Sequence, residues 1–567
     1  MTSRPDYAQK MVGWYDPPQL LRTGALVLVS QQFALHADNR EIQALQATVA
    51  VPHDYSADEA MRRDLWIDFV ADSGDGFNST YAVASELARD SIRIEAGEGR
   101  PTEIQRGQIL IFGGDLIYPA PTGQGYDDRL IHPYRDAFGT DEARWPDVWA
   151  VPGNHDWYDS LSAFRRLFCT EQDFGPWTSR QRRSYFAVKL PHHWWLFGVD
   201  LQLLHEIDQQ QLWYFQEIIE HMGRDDRIIL CSPEPYWLEQ APMAVGSSVF
   251  VKSLLRVLLD SMGDRLRLAV AGDLHHYQRL SADDSTKHFI TCGTGGAFLH
   301  PTHVVNLNPE PGFSLRKSYP DADQSRRLTR SNALFLGRNP LFGIVPAFFY
   351  LLVAWSTGIN VGEKFGEVQL RELGRLGIWE FWEAMLLGTH SAILSPIGMA
   401  IYAIIFAAFI IFTGSKSKRF RWIAGSLHAL SHVFVGFLIF WGAAYLCITV
   451  FGLVPKSVTQ YLVAAPMIMI AAWFAGSILM GLYLWISLNV FREHTTEAFS
   501  ALRISDWKGF LRMHLCPNGE HEVYFVGIRT VPRQWRRKAT AAAGPEWINN
   551  DARTEPARLE DYVKIRP

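Results

Sequence analysis

Cysteine is scarce in this chain, and the few cysteines show no paired spacing. There are five in 567 residues, namely Cys169, Cys231, Cys292, Cys447 and Cys516. Disulfide-stabilised secreted domains have many closely spaced cysteines, so this class is excluded. Two of the five, Cys231 and Cys292, stand inside apolar runs. We therefore expect reduced thiols in a reducing compartment.

The chain also lacks a strong net charge and an apolar N-terminal run. Its formal net charge is -5, and no basic stripe stands out along the sequence. Nucleic acid is therefore not expected as a partner. The first six residues, Met1-Thr-Ser-Arg-Pro-Asp6, contain no apolar stretch, so no secretory signal peptide is expected.

Long apolar runs, by contrast, are concentrated after about residue 340. Four of them follow one another, at 341–361, 392–413, 424–453 and 461–490. Each is close to or above the roughly 20 residues that cross a bilayer as a helix. The sequence therefore predicts an all-α transmembrane domain of four helices at 336–490, and hence a multi-pass integral membrane protein. His428 and His432 share one face of the third span, as functional groups or as helix contacts.

The distribution of Lys and Arg predicts the orientation. Basic residues precede the first span, separate the second from the third and follow the fourth, whereas the connection from the third to the fourth carries only Lys456. This alternation predicts that both termini and the domain before the spans are cytoplasmic, at a plasma or inner membrane. Between the first two spans, Arg371–Leu387 is predicted as an interfacial helix or as an extension of the second span.

Five short apolar runs in the first 300 residues each end in residues that bind metals. In open α/β sheets, ligands collect at the carboxyl ends of the strands. Carboxylates, an amide oxygen and imidazole together suit Mn²⁺, Fe or Zn²⁺. The runs and their endings are Leu65–Ala71 before Asp72, Ile109–Phe112 before Gly114-Asp115, Val148–Val151 before Gly153-Asn154-His155-Asp156, Ile228–Cys231 before Ser232-Pro-Glu234, and Leu268–Ala271 before Gly272-Asp273-Leu-His275.

Four of these endings resemble the motifs of the calcineurin-like metallophosphoesterases, most closely the purple-acid-phosphatase branch. The matching segments are Asp72-Ser-Gly74, Gly114-Asp115-Leu-Ile-Tyr118, Gly153-Asn154-His155-Asp156 and Gly272-Asp273-Leu-His275-His276-Tyr277. The resemblance covers about residues 62–300. It implies an α/β fold, a four-layer α/β/β/α sandwich over 61–335. It also implies hydrolysis of a phosphomonoester or phosphodiester by a metal-bound hydroxide.

The resemblance implies a centre of two divalent or mixed-valence ions about 3.5–4 Å apart. His155 is expected to act as general acid or charge stabiliser, with Asp156 orienting its ring. Pro233 and Asp273 stand where the family has histidines, and Glu234 is the adjacent carboxylate. These carboxylates favour Mn or Fe over Zn. The alternative is a second site that binds its metal weakly or not at all. The implied metal ligands are Asp72, Asp115, Tyr118, Asn154, Glu234, Asp273 and His275.

Four further residues are candidates to bind a substrate phosphate: Arg129, Arg135, His300 and His303. A structural or surface role is open for each. The expected substrate is phosphorylated, and the membrane domain makes a lipid phosphate one candidate. The sequence does not specify an oligomeric state.

The two ends of the chain carry no catalytic spacing. Residues 1–60 are interpreted as an N-terminal extension, with a helical pattern at Glu41–Gln46. Residues 491–567 are predicted to form a small α+β cytoplasmic cap, helical over Phe499–His514 and extended over Glu522–Ile528, with a mobile tail from Pro532. Two alternatives to the enzyme remain: a membrane sensor or receptor with a degenerate, non-catalytic phosphoesterase fold, and a transporter with a regulatory domain.

Overall fold

The computed structural model describes most of the chain, in two compact units. The described residues are 4–33, 53–96, 100–141, 145–170, 173–174, 177–201, 205–238, 253–284, 286–304, 312–360, 381–415, 417–538 and 544–566. The first unit comprises Met1–Val12, Thr23–Ser325 and Arg503–Pro567, and the second comprises Gly13–Arg22 and Arg326–Leu502. The predicted helix Glu41–Gln46 and most of the segment between the first two predicted spans lie outside the described residues.

The first unit contains the strands, which we number in chain order. They are β1 His53–Asp54, β2 Leu65–Val70, β3 Ser91–Ala96, β4 Arg100–Gln105, β5 Ile109–Phe112, β6 Asp147–Ala150, β7 Asp173–Phe174, β8 Trp177–Thr178, β9 Phe186–Lys189, β10 Trp194–Gly198, β11 Arg227–Ser232, β12 Leu266–Ala271, β13 Tyr277–Ala282, β14 His288–Cys292, β15 Phe313–Tyr319, β16 Lys508–Leu515, β17 His521–Ile528, β18 Trp535–Arg537, β19 Trp547–Asn549 and β20 Arg558–Ile565. The helices of this part of the chain are Glu59–Arg63, Phe77–Leu87, Gly123–Tyr126, His132–Phe138, Asn154–Trp157, Ser162–Phe168, Gln209–Glu220, Leu254–Met262 and Ala322–Thr329.

Two large mixed sheets organise this unit. One has six strands in the order β20-β17-β16-β2-β5-β6, in which β2, β5 and β6 run parallel. The other has eight strands in the order β1-β9-β10-β11-β12-β14-β13-β15, with β10, β11, β12 and β14 parallel. Every residue of β2 and β5 is buried. Such complete burial of mostly apolar residues, interrupted in β2 only by Asp68, is typical of strands covered on both faces.

Three clusters of buried side chains make up the core of the unit. One cluster joins both sheets through residues such as Phe69 of β2 and Leu196 of β10. A second joins Phe112 of β5 to the helix Phe77–Leu87, and a third joins Phe197 of β10 to the helix Gln209–Glu220. The alternation of side chains along each strand therefore fills one cluster between the sheets and a different one under the helices.

The C-terminal residues complete the six-stranded sheet, so the predicted division of the chain is wrong here. Strand β16 pairs antiparallel with β2 over Leu511–Leu515, and β17 and β20 continue the sheet beyond it. Residues 491–567 are thus not a separate cap, and the tail predicted to be mobile contains three strands. The strand at Glu522–Ile528 is confirmed within β17, but Phe499–His514 divides into the helix Thr495–Leu502 and β16. Strand β16 is specified by pairing with β2, about 440 residues away, which local periodicity does not reveal.

The second unit is helical. Three of its helical segments, Pro396–Thr413, Lys418–Val450 and Val458–Phe491, are long and apolar enough to cross a membrane. A fourth candidate arises only if Ala322–Arg338 and Pro340–Trp355, bent by 60° at Asn339, form one span. The described helices of this unit are Phe335–Arg338, Ile344–Asn360, Phe381–Leu394, Pro396–Thr413, Lys418–Tyr445, Val458–Ile486 and Thr495–Leu502, with π-helical turns at Leu446–Val450 and Ser487–Phe491. Helix Pro17–Phe33 begins in this unit.

Serine caps determine where the three apolar helices begin. Ser395, Ser417 and Ser457 each accept a hydrogen bond from a backbone N–H of the first helical turn. Such caps satisfy donors that would otherwise have no partner at a helix start. Gly414, at φ +54°, ends the first of these helices in a left-handed turn.

Candidate metal centre

The predicted ligands follow strands whose carboxyl ends meet. Asp72 follows β2, Asp115 follows β5 and Asn154 follows β6, and these three strands are parallel neighbours. Asp273 follows β12 of the other sheet. The aspartates at 72, 115 and 273 all have a left-handed backbone, with φ of 58°, 51° and 69°. Aspartate tolerates this region better than most residues, and strained positions cluster at functional sites.

Three donor atoms of the predicted set form a compact triangle. The hydroxyl oxygen of Tyr118 lies 3.1 Å from Asp72 Oδ1 and 3.0 Å from His275 Nε2. Asp72 Oδ1 and His275 Nε2 are 3.4 Å apart. Ligand atoms about 2.0–2.1 Å from one ion are separated by about 2.8–3.0 Å in octahedral geometry and by about 3.3–3.4 Å in tetrahedral geometry. The triangle therefore has the dimensions of one face of a metal coordination shell.

Asp115 adds a fourth potential metal-ligand atom, and with it the cluster has more hydrogen-bond acceptors than protons. Its Oδ2 lies 3.3 Å from the Tyr118 hydroxyl. His275 Nδ1 lies 2.7 Å from the carbonyl oxygen of Phe298, which can only accept, so Nδ1 carries the proton and Nε2 is an acceptor. Three acceptors thus surround a hydroxyl that has one proton. This donor set fits a bound cation, and the second hydrogen bond of His275 is the orienting contact usual for a metal-ligating imidazole.

The electrostatics of the cluster also suit a cation. Burial raises the pKa of Asp72 to about 7. Burial, with added repulsion from Asp72 and Asp156, raises the pKa of Asp115 well above its usual value. Burial lowers the pKa of His275 to about 3, which keeps the imidazole in the neutral form that binds metals. A positive ion between these groups would stabilise the carboxylates in their charged form.

Lys508 is a buried cation near this cluster that the sequence analysis missed. It lies on β16, is fully buried, and its Nζ has no hydrogen-bond partner among the described residues. Burial lowers its pKa to about 8, and the charges of Asp506, Asp75 and Asp72 act in the opposite direction. No local motif marks this lysine, because only the pairing of β16 with β2 brings it here.

His300 also lies beside the centre. Its ring stacks on that of His275 at a centroid distance of 4.0 Å and an angle of 12°, and its Nδ1 accepts a hydrogen bond from the His275 backbone N–H. The other three predicted substrate residues contact other groups. Arg129 donates to the carbonyl of Asp75, Arg135 lies 3.8 Å from Asp136, and His303 contacts Ser325.

The residues predicted for a second ion are not assembled in the same way. Glu234 is engaged by His205, whose Nδ1 lies 2.7 Å from Glu234 Oε2. The amide of Asn154 lies 3.5 Å from the Tyr158 hydroxyl. Within the described part of the chain, Asp72, Asp115, Asp273 and His275 do not supply three ligand atoms that all lie within 4.8 Å of one another. The structure thus brings together the predicted ligands of a first ion, completed by a tyrosine.

His155 is held in place by a carbonyl group. Its backbone N–H donates to Asp115 Oδ1 at 2.8 Å, and its Nδ1 lies 2.9 Å from the carbonyl oxygen of Pro119. Its ring lies 4.3 Å from that of Tyr118, centroid to centroid. Burial lowers the pKa of His155 to about 4. The imidazole is therefore next to the donor cluster and oriented by Pro119.

Asp156 does not orient that imidazole, so its predicted role is wrong. Its carboxylate accepts hydrogen bonds from the backbone N–H of Gly153 and from the hydroxyl of Tyr126. Asp156 is the third residue of the helical turn Asn154–Trp157, and an acidic side chain there reaches back to the N-terminal N–H as in a capping box. Asp156 therefore fixes the loop that carries His155.

A glycine allows this loop to approach Asp115. A Cβ atom at Gly153 would lie 2.1 Å from Asp115 Oδ1. Gly153→Ala is therefore expected to displace the carboxylate and to reduce Mn²⁺ affinity by about 10–100-fold, as disruption of outer contacts of metal sites does. Calorimetric titration of the purified chain with Mn²⁺ measures this.

The matched control is Gly123→Ala, because a Cβ there meets nothing within 4 Å. It should bind Mn²⁺ as the unsubstituted chain does. Equal affinity in both variants would show that Asp115 does not contribute to binding.

Comparisons with known proteins assign no family. No family model matches the sequence, and no curated protein matches it. Among solved structures, "GAP50 the anchor in the inner membrane complex of Plasmodium" matches with 13% identity and a TM-score of 0.31, over 44% of this chain and 77% of that chain. The purple acid phosphatase PPD1 from seeds of yellow lupin (Lupinus luteus) matches with 13% identity and a TM-score of 0.29, over 44% of this chain and 48% of that chain. Similarities of this size establish neither the fold nor the function of this chain.

Proposed function

We propose that this chain is a membrane-anchored, metal-dependent phosphoesterase that hydrolyses a phosphomonoester or a phosphodiester. The observation that carries the proposal is the donor triangle of Asp72, Tyr118 and His275, with edges of 3.0–3.4 Å. Asp115 stands 3.3 Å from its tyrosine corner. These residues belong to the motifs that resemble the purple-acid-phosphatase branch of the calcineurin-like metallophosphoesterases.

The fold proposed for the catalytic unit is the four-layer α/β/β/α sandwich. Its support is the set of three core clusters, one shared by the two sheets and two shared by a sheet and helices. The unit proposed here includes the C-terminal strands, because β16 lies next to β2.

In the proposed centre, Asp72, Tyr118 and His275 hold one ion and Asp115 is shared between two. Asn154, Glu234 and Asp273 are proposed for the second ion, which requires Glu234 to exchange His205 for the metal. Mn or Fe is favoured over Zn, since most of these ligands are oxygen atoms. When bound, the ions supply positive charge to phosphoryl oxygens and lower the pKa of water.

The proposed role of His155 is to protonate the leaving oxygen. Its Nδ1 contacts the Pro119 carbonyl, so a transferred proton would reside on Nε2. Burial keeps this imidazole neutral near pH 7 while the site lacks substrate, and a phosphate anion beside it would raise its pKa. Substrate binding would thus favour protonation of His155, which prepares it to act as the acid. The ring of His300 beside His275 is proposed to contact the phosphate.

The proposed location is a plasma or inner membrane, with the catalytic unit and both termini in the cytoplasm. Three helices long and apolar enough to span a bilayer, together with the alternation of Lys and Arg, support this proposal. A membrane-proximal phosphate, including that of a lipid, is the proposed class of substrate.

The test is phosphate release from p-nitrophenyl phosphate by the detergent-purified chain with added Mn²⁺. His155→Ala is expected to lower the turnover number about 10²–10⁴-fold, because general acid catalysis contributes this much. His193→Ala is the matched control, since its imidazole is largely exposed and contacts Asp226. It should retain full activity.

The same preparation distinguishes the proposed enzyme from its rival, the non-catalytic membrane sensor or receptor. Metal analysis that finds two ions per chain, together with turnover, supports the enzyme. One ion or none, with no hydrolysis of monoester or diester substrates, would overturn the proposal. The pairing of Glu234 with His205 is the observation that favours this rival, because it occupies a proposed ligand of the second ion.

A further inference from the structure

A second group of metal-ligand side chains lies on the hairpin of β16 and β17, and the proposed function does not use it. It consists of His514, Cys516 and Glu522, which we call the hairpin triad. Within the described part of the chain, these residues are the one set of His, Cys, Asp or Glu that offers three ligand atoms all within 4.8 Å of one another.

The hairpin itself places these side chains together. His514 and Glu522 are directly opposite each other in the antiparallel ladder. Cys516 follows His514 by two residues, which returns its side chain to the same face. The turn between them, Cys516-Pro-Asn-Gly-Glu520, closes with Gly519 at φ +81° and a hydrogen bond from the Cys516 N–H to the Glu520 carbonyl.

Two of the three distances within the hairpin triad are those of a tetrahedral zinc site, and the third, between Cys516 and Glu522, is within 4.8 Å. Cys516 Sγ lies 3.4 Å from His514 Nδ1. Glu522 Oε2 lies 3.5 Å from the same nitrogen. Zinc bonds of about 2.3 Å to sulfur and about 2.0–2.2 Å to nitrogen and oxygen, at tetrahedral angles, separate the ligand atoms by about 3.3–3.6 Å.

Outer contacts hold the three ligands in this arrangement. Asp64 Oδ1 lies 2.7 Å from His514 Nε2, the ring nitrogen that faces away from the cysteine, and Trp66 stacks on the imidazole at 4.1 Å and 3°. A carboxylate on the far nitrogen is the usual outer partner of a zinc-bound histidine. The hydroxyls of Tyr524 and Tyr562 donate to the two oxygens of Glu522.

The competing explanation is an ion pair without metal. In that case His514 is an imidazolium between Asp64 and Glu522, and the thiol of Cys516 is a bystander. The two explanations differ in the thiol: a metal site requires the thiolate as ligand, whereas the ion pair does not involve it.

We propose that the hairpin triad binds one divalent transition-metal ion of the zinc type through His514 Nδ1, Cys516 Sγ and Glu522 Oε2. The three side chains are only partly buried, so water can fill a fourth position. Binding displaces the thiol proton of Cys516 and joins β16 to β17 at their turn. The ion therefore stabilises the pairing of β16 with β17 in the sheet that also carries the proposed catalytic centre, through ligands that the centre does not share.

Titration of the full-length purified chain with Co²⁺ tests the proposal. Cobalt bound by a thiolate gives an intense near-ultraviolet charge-transfer band, and the phosphoesterase centre proposed above has no thiolate ligand. We expect the amplitude of this band to correspond to one thiolate-bound Co²⁺ per chain, and we expect its loss on addition of Zn²⁺ and its absence in Cys516→Ser and His514→Phe. Cys169→Ser, which changes a partly buried cysteine outside the hairpin triad, should retain the band.

Alkylation provides a test that needs no substitution. Zinc is expected to slow modification of Cys516 by iodoacetamide at least tenfold, as followed by mass spectrometry of the peptide. Absence of the cobalt band together with unprotected Cys516 would overturn the proposal and leave the ion pair. A cobalt band that persists in Cys516→Ser would overturn it as well. Neither result depends on phosphatase turnover, so the proposed function can fail independently.

Discussion

Asp115→Asn is expected to lower phosphate release about 10³-fold or more. Asp115 Oδ2 lies 3.3 Å from the Tyr118 hydroxyl, and Oδ1 accepts the N–H of His155, so one carboxylate links the donor triangle to the proposed acid. An amide has nearly the same shape but no charge. It therefore could not balance the repulsion between the two cations proposed for this site.

Asp115→Asn needs both an activity assay and a metal assay. We expect p-nitrophenyl phosphate hydrolysis near the blank rate and fewer bound Mn²⁺ ions per chain, determined by elemental analysis after gel filtration. The control is Asp264→Asn, whose side chain is fully exposed and 3.8 Å from Lys287. It should match the unsubstituted chain in both assays. An Asp115→Asn variant with more than a tenth of normal activity would exclude Asp115 as a shared ligand.

The sequence indicated which side chains would lie together in the donor cluster, because this information is local. Asp72, Asp115 and His275 each follow a short apolar run, and strand ends in parallel sheets meet by geometry. Tyr118, which follows Asp115 by three residues, was predicted from the resemblance alone. The structure places its hydroxyl within 3.3 Å of all three of these residues. The residues that follow each strand could therefore be identified from the sequence without knowledge of the sheet.

Side-chain partners were harder to predict than side-chain positions. Asp156 was expected to orient His155, but it caps its own helical turn, and a backbone carbonyl at Pro119 takes the predicted role. Glu234 was expected at the metal, but it pairs with His205. In both cases a hydrogen-bond partner that the residue pattern does not indicate decides where the carboxylate is directed: the turn's own N–H for Asp156, and His205 for Glu234.

The membrane region shows a related limit. Hydropathy predicted four spans, and three described helices satisfy the length and composition of a span. The first predicted segment is a 17-residue helix, Ile344–Asn360, that follows a 60° bend. A window of apolar residues measures composition and does not register a bend in the chain. Asn339-Pro340 was the available signal, since proline interrupts helices.

Arg512→Met is expected to destabilise the first unit by about 3–5 kcal/mol, the largest stability loss we predict. Arg512 lies on β16 and Asp68 on β2. Both side chains are buried, and they form two hydrogen bonds, Nε to Oδ1 at 2.8 Å and Nη2 to Oδ2 at 2.9 Å. Removal of the guanidinium would leave a buried carboxylate without its cation. The Leu87 carbonyl would also lose the donor that Arg512 supplies.

A double substitution separates the charge effect from packing. Asp68→Leu combined with Arg512→Met removes both charges, and the pair should be much closer in stability to the unsubstituted chain than either single variant. Arg558→Met is the control, because its exposed contact with Glu555 at 3.4 Å in the same sheet should contribute about 0–1 kcal/mol. Urea unfolding of the detergent-purified chain, followed by tryptophan fluorescence, supplies the free energies.

This cycle also tests the domain organisation. If residues 491–567 formed a separate cap, Arg512→Met would leave the unfolding of the first unit and the phosphatase activity unchanged. If β16 instead completes the six-stranded sheet beside β2, the substitution should weaken both, since Asp72 lies two residues beyond the end of β2 and Lys508 begins β16. A stability loss below about 1 kcal/mol in Arg512→Met, the range of an exposed pair, would contradict the pairing of β16 with β2 as a buried contact.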